Sequence, residues 1–316
     1  MAGIFGFMNY NKEGKGVNPE DLERGPLPTF FGILGRKFWK LIPINLIYVI
    51  FSLPALVLSF FGSSYFVQAI FPGLDMSIAE AALGTAKEAD EALVLQVFEM
   101  TVIFFLFAMM LTGLALIIVG PVHAGIVYVL RNYSREEHSF IWSDFKEHAL
   151  SNLKQALVSS LISLVVTVVF VVNLYFYRQT DFVSNSLLRS ILITVIVLMY
   201  LIWCIMQMYL YPMMVTFRLT LKQMYKNSFF FAILKLPMNL LILFLSLLLM
   251  LIGPAIMMFA NLGIAFLVSA FWYLFFAFSI NILMVTFYAY RGLNKYMLSK
   301  IDQESANSDI GNDLTI

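Results

Sequence analysis

Long apolar runs alternate with short polar connections along most of this chain. Six runs, at about 41–61, 101–130, 155–177, 190–217, 236–258 and 263–290, reach about twenty residues or more. That length crosses a hydrocarbon layer of roughly 30 Å at about 1.5 Å per helical residue. None of the six holds an Asp, Glu, Lys or Arg. The pattern predicts an all-α, polytopic membrane protein whose six transmembrane helices form three hairpins with juxtamembrane amphipathic helices. Residues 29–298 make the membrane domain, with an outer loop at 62–100 and cytoplasmic loops at 131–154 and 218–235. A short basic helix at 29–40 leads into the first span. Residues 1–28, rich in Gly and Pro, read as an irregular cytoplasmic tail with an apolar tip at Ile4–Met8. Residues 299–316 form a polar, disordered cytoplasmic tail.

The chain repeats itself weakly. Lys40 with Pro43-Ile44-Asn45-Leu46 opens span one, and Lys235 with Pro237-Met238-Asn239-Leu240 opens span five. Asn152-Leu153-Lys154 stands in the matching place before span three. Met214-Val215-Thr216-Phe217-Arg218 recurs as Met284-Val285-Thr286-Phe287, with Arg291 one turn on. Prolines 43, 54, 121, 212, 237 and 254 mark kinks or helix starts, tolerable where neighbours re-satisfy freed carbonyls. Gly120-Pro121 and Gly253-Pro254 are the expected bends. In the outer loop, Ser77-Ile78-Ala79-Glu80 has the capping-box pattern.

Composition agrees with this picture: 61% of residues are hydrophobic and 12% charged, about half the charged share of an ordinary soluble domain. The net charge of +1 gives no basic footprint for nucleic acid. Seventeen of the 20 Lys and Arg fall on one side of the predicted membrane, and only Lys87, Arg178 and Arg189 on the other. The crowded side, holding both termini, is then the cytoplasm. The first apolar run lies too far in and is too long for a cleaved signal peptide, so it reads as a signal-anchor. Cys204, the single cysteine, leaves no internal disulfide and reads as a small buried apolar residue.

The segment at 131–154 is the most specific polar piece. Ser134-Arg135-Glu136-Glu137 has a capping-box pattern, and Trp142, Phe145, Ala149 and Leu153 then share a helix face opposite Asp144, Glu147, His148 and Ser151. Such a helix either lies on the inner leaflet or docks into a groove on a partner. Mixed rather than purely basic charge favours a protein partner. The candidate contact residues are Arg131, Arg135, Glu137, Trp142, Asp144, Phe145 and, in the next cytoplasmic loop, Arg218. His138, His148, Asp144 and neighbouring carboxylates are better explained as solvated charges than as metal ligands. His123 reads as a hydrogen-bonded packing histidine, since no acid or base accompanies it in the membrane. Asn45, Asn173, Gln207, Asn239, Asn261 and Asn281 read first as interhelical hydrogen bonders, with a polar path for solute as the other reading. Asn132-Tyr133-Ser134 matches a glycosylation pattern but falls on the cytoplasmic side. No phosphate loop, His-Glu-x-x-His, nucleophile elbow or Cys-x-x-Cys is present, so no enzyme, cofactor or metal is expected.

The stretches Gly6-Phe7-Met8-Asn9-Tyr10-Asn11-Lys12, Arg36-Lys37-Phe38-Trp39-Lys40-Leu41, Gly120-Pro121-Val122-His123-Ala124-Gly125, Tyr128-Val129-Leu130-Arg131-Asn132-Tyr133, Arg135-Glu136-Glu137-His138 and Trp142-Ser143-Asp144-Phe145 resemble the YesL-like bacterial membrane proteins (domain of unknown function 624). The chain departs from that family's habit in lacking a Pro after Gly14 and in placing His123 where a small hydroxyl residue is usual. The resemblance implies a bacterial plasma-membrane protein encoded near sugar-importing ABC transporters, with no defined catalytic residues. The resulting expectation is a non-catalytic accessory protein touching the permease or ATPase of a carbohydrate ABC importer. An independent transporter or channel for an uncharged solute, or an assembly factor for other membrane proteins, are the alternatives.

Overall fold

The computed structural model describes residues 25–70, 119–179, 185–259 and 262–298. Residues 71–100 of the expected outer loop with its capping box, most of the second span, Asn261, residues 1–24 and the C-terminal tail lie outside these residues; positions 26–28 of the expected irregular tail and 62–70 of the expected outer loop belong instead to the first helix. The described residues are almost wholly helical, and none is in a strand. In chain order they form α1 (Pro26–Ile70), α2 (119–134), α3 (Ile141–Ser151), α4 (Leu153–Gln179), α5 (Ser186–Met214), α6 (Leu221–Leu234), α7 (Leu236–Phe259), α8 (Leu262–Phe275) and α9 (Ala277–Leu293). A π-helical turn, Asn294–Leu298, follows.

Four helical stretches are long and apolar enough to cross a membrane: Pro26–Pro54, Leu153–Leu174, Ser186–Met214 and Leu236–Ile256. The bent pair α8–α9 makes a fifth. This is a multi-pass membrane protein. The described residues thus carry four candidate spans, or five where the bent pair counts as one, and of the expected second span only the α2 part is described.

One expectation about helix boundaries is corrected. The basic stretch at 29–40 is not a separate helix; α1 runs unbroken for 45 residues through Pro43 and Pro54, about 68 Å at the ordinary rise. At the glycine–proline pairs α2 and α7 continue as helix through Pro121 and Pro254. The breaks fall instead at Asn152, Lys235 and Phe276, the last bending α8 from α9 by 46°.

α4 packs on α5 and α7 on α8, while α9 contacts α1, α5 and α7. The buried core gathers at the end where α2, α5 and α9 finish. Leu130, Tyr133, Leu210, Met213, Met224 and Leu293 are all shut away there. We call this end the rim. Toward the other end, α4 turns Val165, Val169 and Val172 outward, as lipid contact requires.

Candidate functional site

The rim is held by joints, and each begins with a polar side chain that the helix breaks demand. A helix end leaves carbonyls without intrahelical partners, and in a membrane no water reaches them. Asn239 sits one turn after the break at Lys235. Its Nδ2 donates to the carbonyls of Phe231 at 2.9 Å and Ala232 at 2.8 Å. Its Oδ1 accepts from the hydroxyls of Tyr209 at 2.6 Å and Tyr288 at 2.7 Å. Asn45 does the same across helices at the α8–α9 break. Nδ2 donates to the carbonyls of Tyr273 and Leu274, both at 2.8 Å, and Oδ1 accepts from the Ser279 amide at 2.9 Å. Asn152 closes the third break by donating to the His148 carbonyl at 2.9 Å. The three asparagines singled out by the sequence repeat therefore do one job, at three different breaks.

Arg131 ties α2 to the end of α5. Its Nη1 donates to the Val215 carbonyl at 2.6 Å, and Nε and Nη2 donate to Asn132 Oδ1 at 3.3 and 3.0 Å. The guanidinium also lies 4.5 Å from the Tyr128 ring centre. Tyr128 stacks on His148 of α3 with centroids 3.3 Å apart. Burial pulls the His148 pKa below its ordinary value of 6.5, opposed by Glu147 and Asp144 and reinforced by Arg131.

α3 is pressed onto α2 at Gly125, where an added Cβ would lie 2.5 Å from the Phe145 carbonyl oxygen and 3.0 Å from Ala149 Cβ. Only a glycine admits that approach. Gly120 allows the same against α4, since a Cβ there would meet Ser160 Oγ at 2.1 Å. Gln155 adds a bond from the start of α4 to the Leu219 carbonyl at 3.2 Å. Arg36 of α1 pairs with Glu136, a residue in the left-handed region at φ 61°, and Lys37 lies 5.1 Å over the Tyr133 ring.

The expected capping box at Ser134–Glu137 is not formed. Ser134 still belongs to α2 and donates back to the Leu130 carbonyl at 2.8 Å. α3 starts later, and Asp144 Oδ2 accepts from the Phe140 amide at 2.9 Å and the Ser139 hydroxyl at 2.6 Å. The four-residue match stands at the end of a helix rather than its start.

Of the seven candidate contact residues, Arg131, Asp144 and Phe145 are engaged inside the protein. Arg131 is only 8% exposed, Phe145 packs at Gly125, and Asp144 closes the α3 start. Arg135, paired with Glu137 at 2.7 Å, Trp142 and Arg218 stand at the surface. The shared apolar face therefore divides. Phe145 and Ala149 point inward, while Trp142 is 60% exposed and Leu153 is exposed as well. Phe140, 68% exposed beside Trp142, was missed by sequence reasoning. Its place just ahead of the apolar periodicity was the available signal.

Among the described residues no group of three or more His, Cys, Asp or Glu is placed to hold a metal. His138 sits edge-on to Phe140 at 4.6 Å, and His148 is spent on Tyr128. His123 packs between rings, 4.5 Å from Tyr211 and 6.1 Å from Tyr48. Gln207 and Asn281 accept interhelical bonds from Ser163 at 3.2 Å and Ser246 at 2.7 Å. Asn173 bonds within its own helix, to the Val169 carbonyl at 2.7 Å.

Comparison with known families adds one finding. Residues 98–174 match a family model described as "Protein of unknown function, DUF624". The YesL-like resemblance is borne out. The matched segment, about a quarter of the chain, contains the whole of α2, α3 and the α2–α3 turn. No curated protein and no solved structure matches the chain.

Proposed function

We propose that this chain is a non-catalytic accessory protein of the bacterial plasma membrane, with both termini and the rim in the cytoplasm. On this reading α3 docks the permease or ATPase subunit of a carbohydrate ABC importer. One observation carries the docking surface. α3 is fixed to the bundle on its inner side by Gly125, Phe145, Ala149 and the Tyr128–His148 stack, while Phe140, Trp142, Lys146, Glu147 and Leu150 face outward. A rigidly held helix that presents aromatic anchors among charges of both signs suits a protein partner. A purely lipid-facing helix gains nothing from Glu147. The Lys and Arg distribution supports the orientation, and the lack of Asp, Glu, Lys and Arg in the six apolar runs argues against ion coupling. The choice of importer rests on the family resemblance.

Affinity capture of the full chain in mild detergent, from cells growing on a complex glycan, tests the reading. Importer subunits should co-purify with the parent and be depleted with Phe140→Ala/Trp142→Ala, which replaces no joint residue, the Trp142 ring lying 5.7 Å from that of Phe145. Recovery of equal amounts with both chains, or of no importer subunit, refutes it.

A further inference from the structure

Just inside the rim the bundle holds a cavity of about 100 Å³ between α2, α5 and α9. His123, Gln207, Asn281 and Thr286 line it beside Met208 and Pro212, and among the described residues no charged one does. Gln207 Nε2 is shut off from solvent and has no partner among the described residues, although its Oε1 accepts from Ser163. Asn281 uses Oδ1 on Ser246, and its amide group can still donate. A carboxamide carries two N–H donors, and a buried donor without an acceptor is costly, so this wall calls for oxygen atoms. Asn281 lies on α9 just past the 46° break at Phe276. Broken spans are where membrane proteins place small-molecule sites.

Charge and size narrow the occupant. An ion would enter without any countercharge, and an acyl chain would leave the Gln207 amide unpaired. A cavity of about 150 Å³ takes benzene, so this one suits about four to six non-hydrogen atoms. We propose that the cavity binds a small neutral molecule bearing hydroxyl or carbonyl oxygens, held by the amide groups of Gln207 and Asn281. The site stands apart from the rim surface and does not depend on importer docking.

Saturation-transfer NMR on the full chain in lipid nanodiscs tests this with three probes: glycerol, acetamide and, as an oxygen-free size match, n-butane. Glycerol or acetamide should give saturable binding, with n-butane giving none. Gln207→Met should weaken that binding about tenfold, the loss expected for one buried hydrogen bond. Asn281→Leu, nearly isosteric, should weaken it too and serves if the Gln207 variant does not fold. Absence of saturable binding by either oxygenated probe would overturn the proposal, leaving a cavity that holds water only. Unchanged binding in the variants, or preference for n-butane, would overturn it equally.

Discussion

Around Asn239 at the rim, four hydrogen bonds converge on one carboxamide that is fully buried. Along the outer part of α4, by contrast, Val165, Val169 and Val172 face outward, and Asn173 bonds only to its own helix. The difference teaches where specificity comes from in such a bundle. Lipid is as apolar as leucine, so burying a valine there gains little, and close approach with polar joints must fix which helices meet. Substitutions should therefore be costly in proportion to the joints they open.

The largest effect is expected for Asn239→Leu. It strands two carbonyls and two tyrosine hydroxyls, and should lower stability by about 2–4 kcal/mol, read by thermal unfolding in nanodiscs. Next comes Gly125→Val, which forces α3 off α2 at a cost of about 1–3 kcal/mol; hydrogen exchange in α3 should accelerate while α7 stays protected. Arg131→Met should free the Val215 carbonyl and loosen the α2–α5 link by about 1–2 kcal/mol, seen as faster exchange at 213–217. A smaller effect belongs to pH. Because His148 holds its proton less tightly when folded, its contribution to stability is present above about 6.5 and is lost as pH falls toward the lower folded value. A ring titration by NMR should give a midpoint below 6.5, and Tyr128→Leu should raise it. Val169→Leu should do least, within about 0.5 kcal/mol; a loss comparable to that of Asn239→Leu would erase the contrast.

Much of the fold was legible because length and hydropathy alone decide what can span a membrane. The ends of α4, α5 and α7 fall within a few residues of those expected. Of the breaks, the one at Lys235 is legible from Pro237, which stands at the start of α7; those at Asn152 and Phe276 have no proline to mark them, and Asn45, Asn152 and Asn239 make the three tolerable by satisfying carbonyls from the side. Their repeat was visible, but its purpose needs three-dimensional partners such as Tyr273 and Leu274, more than two hundred residues from Asn45. At the candidate site, helical spacing correctly set Phe145 and Ala149 on one face with Trp142. It did not reveal that Gly125 takes the middle of that face, leaving only its edge outside. Ser134–Glu137 misled because a short motif carries no sign of whether a helix is starting or ending.

We have proposed the outward edge of α3 as a protein-docking surface. A photo-crosslinking residue placed at position 142 in living cells tests this most directly. Adducts with a permease or ATPase subunit of a carbohydrate importer are expected there, and should vanish when the label moves to position 169. Adducts to lipid alone at position 142, with no protein captured, would contradict it.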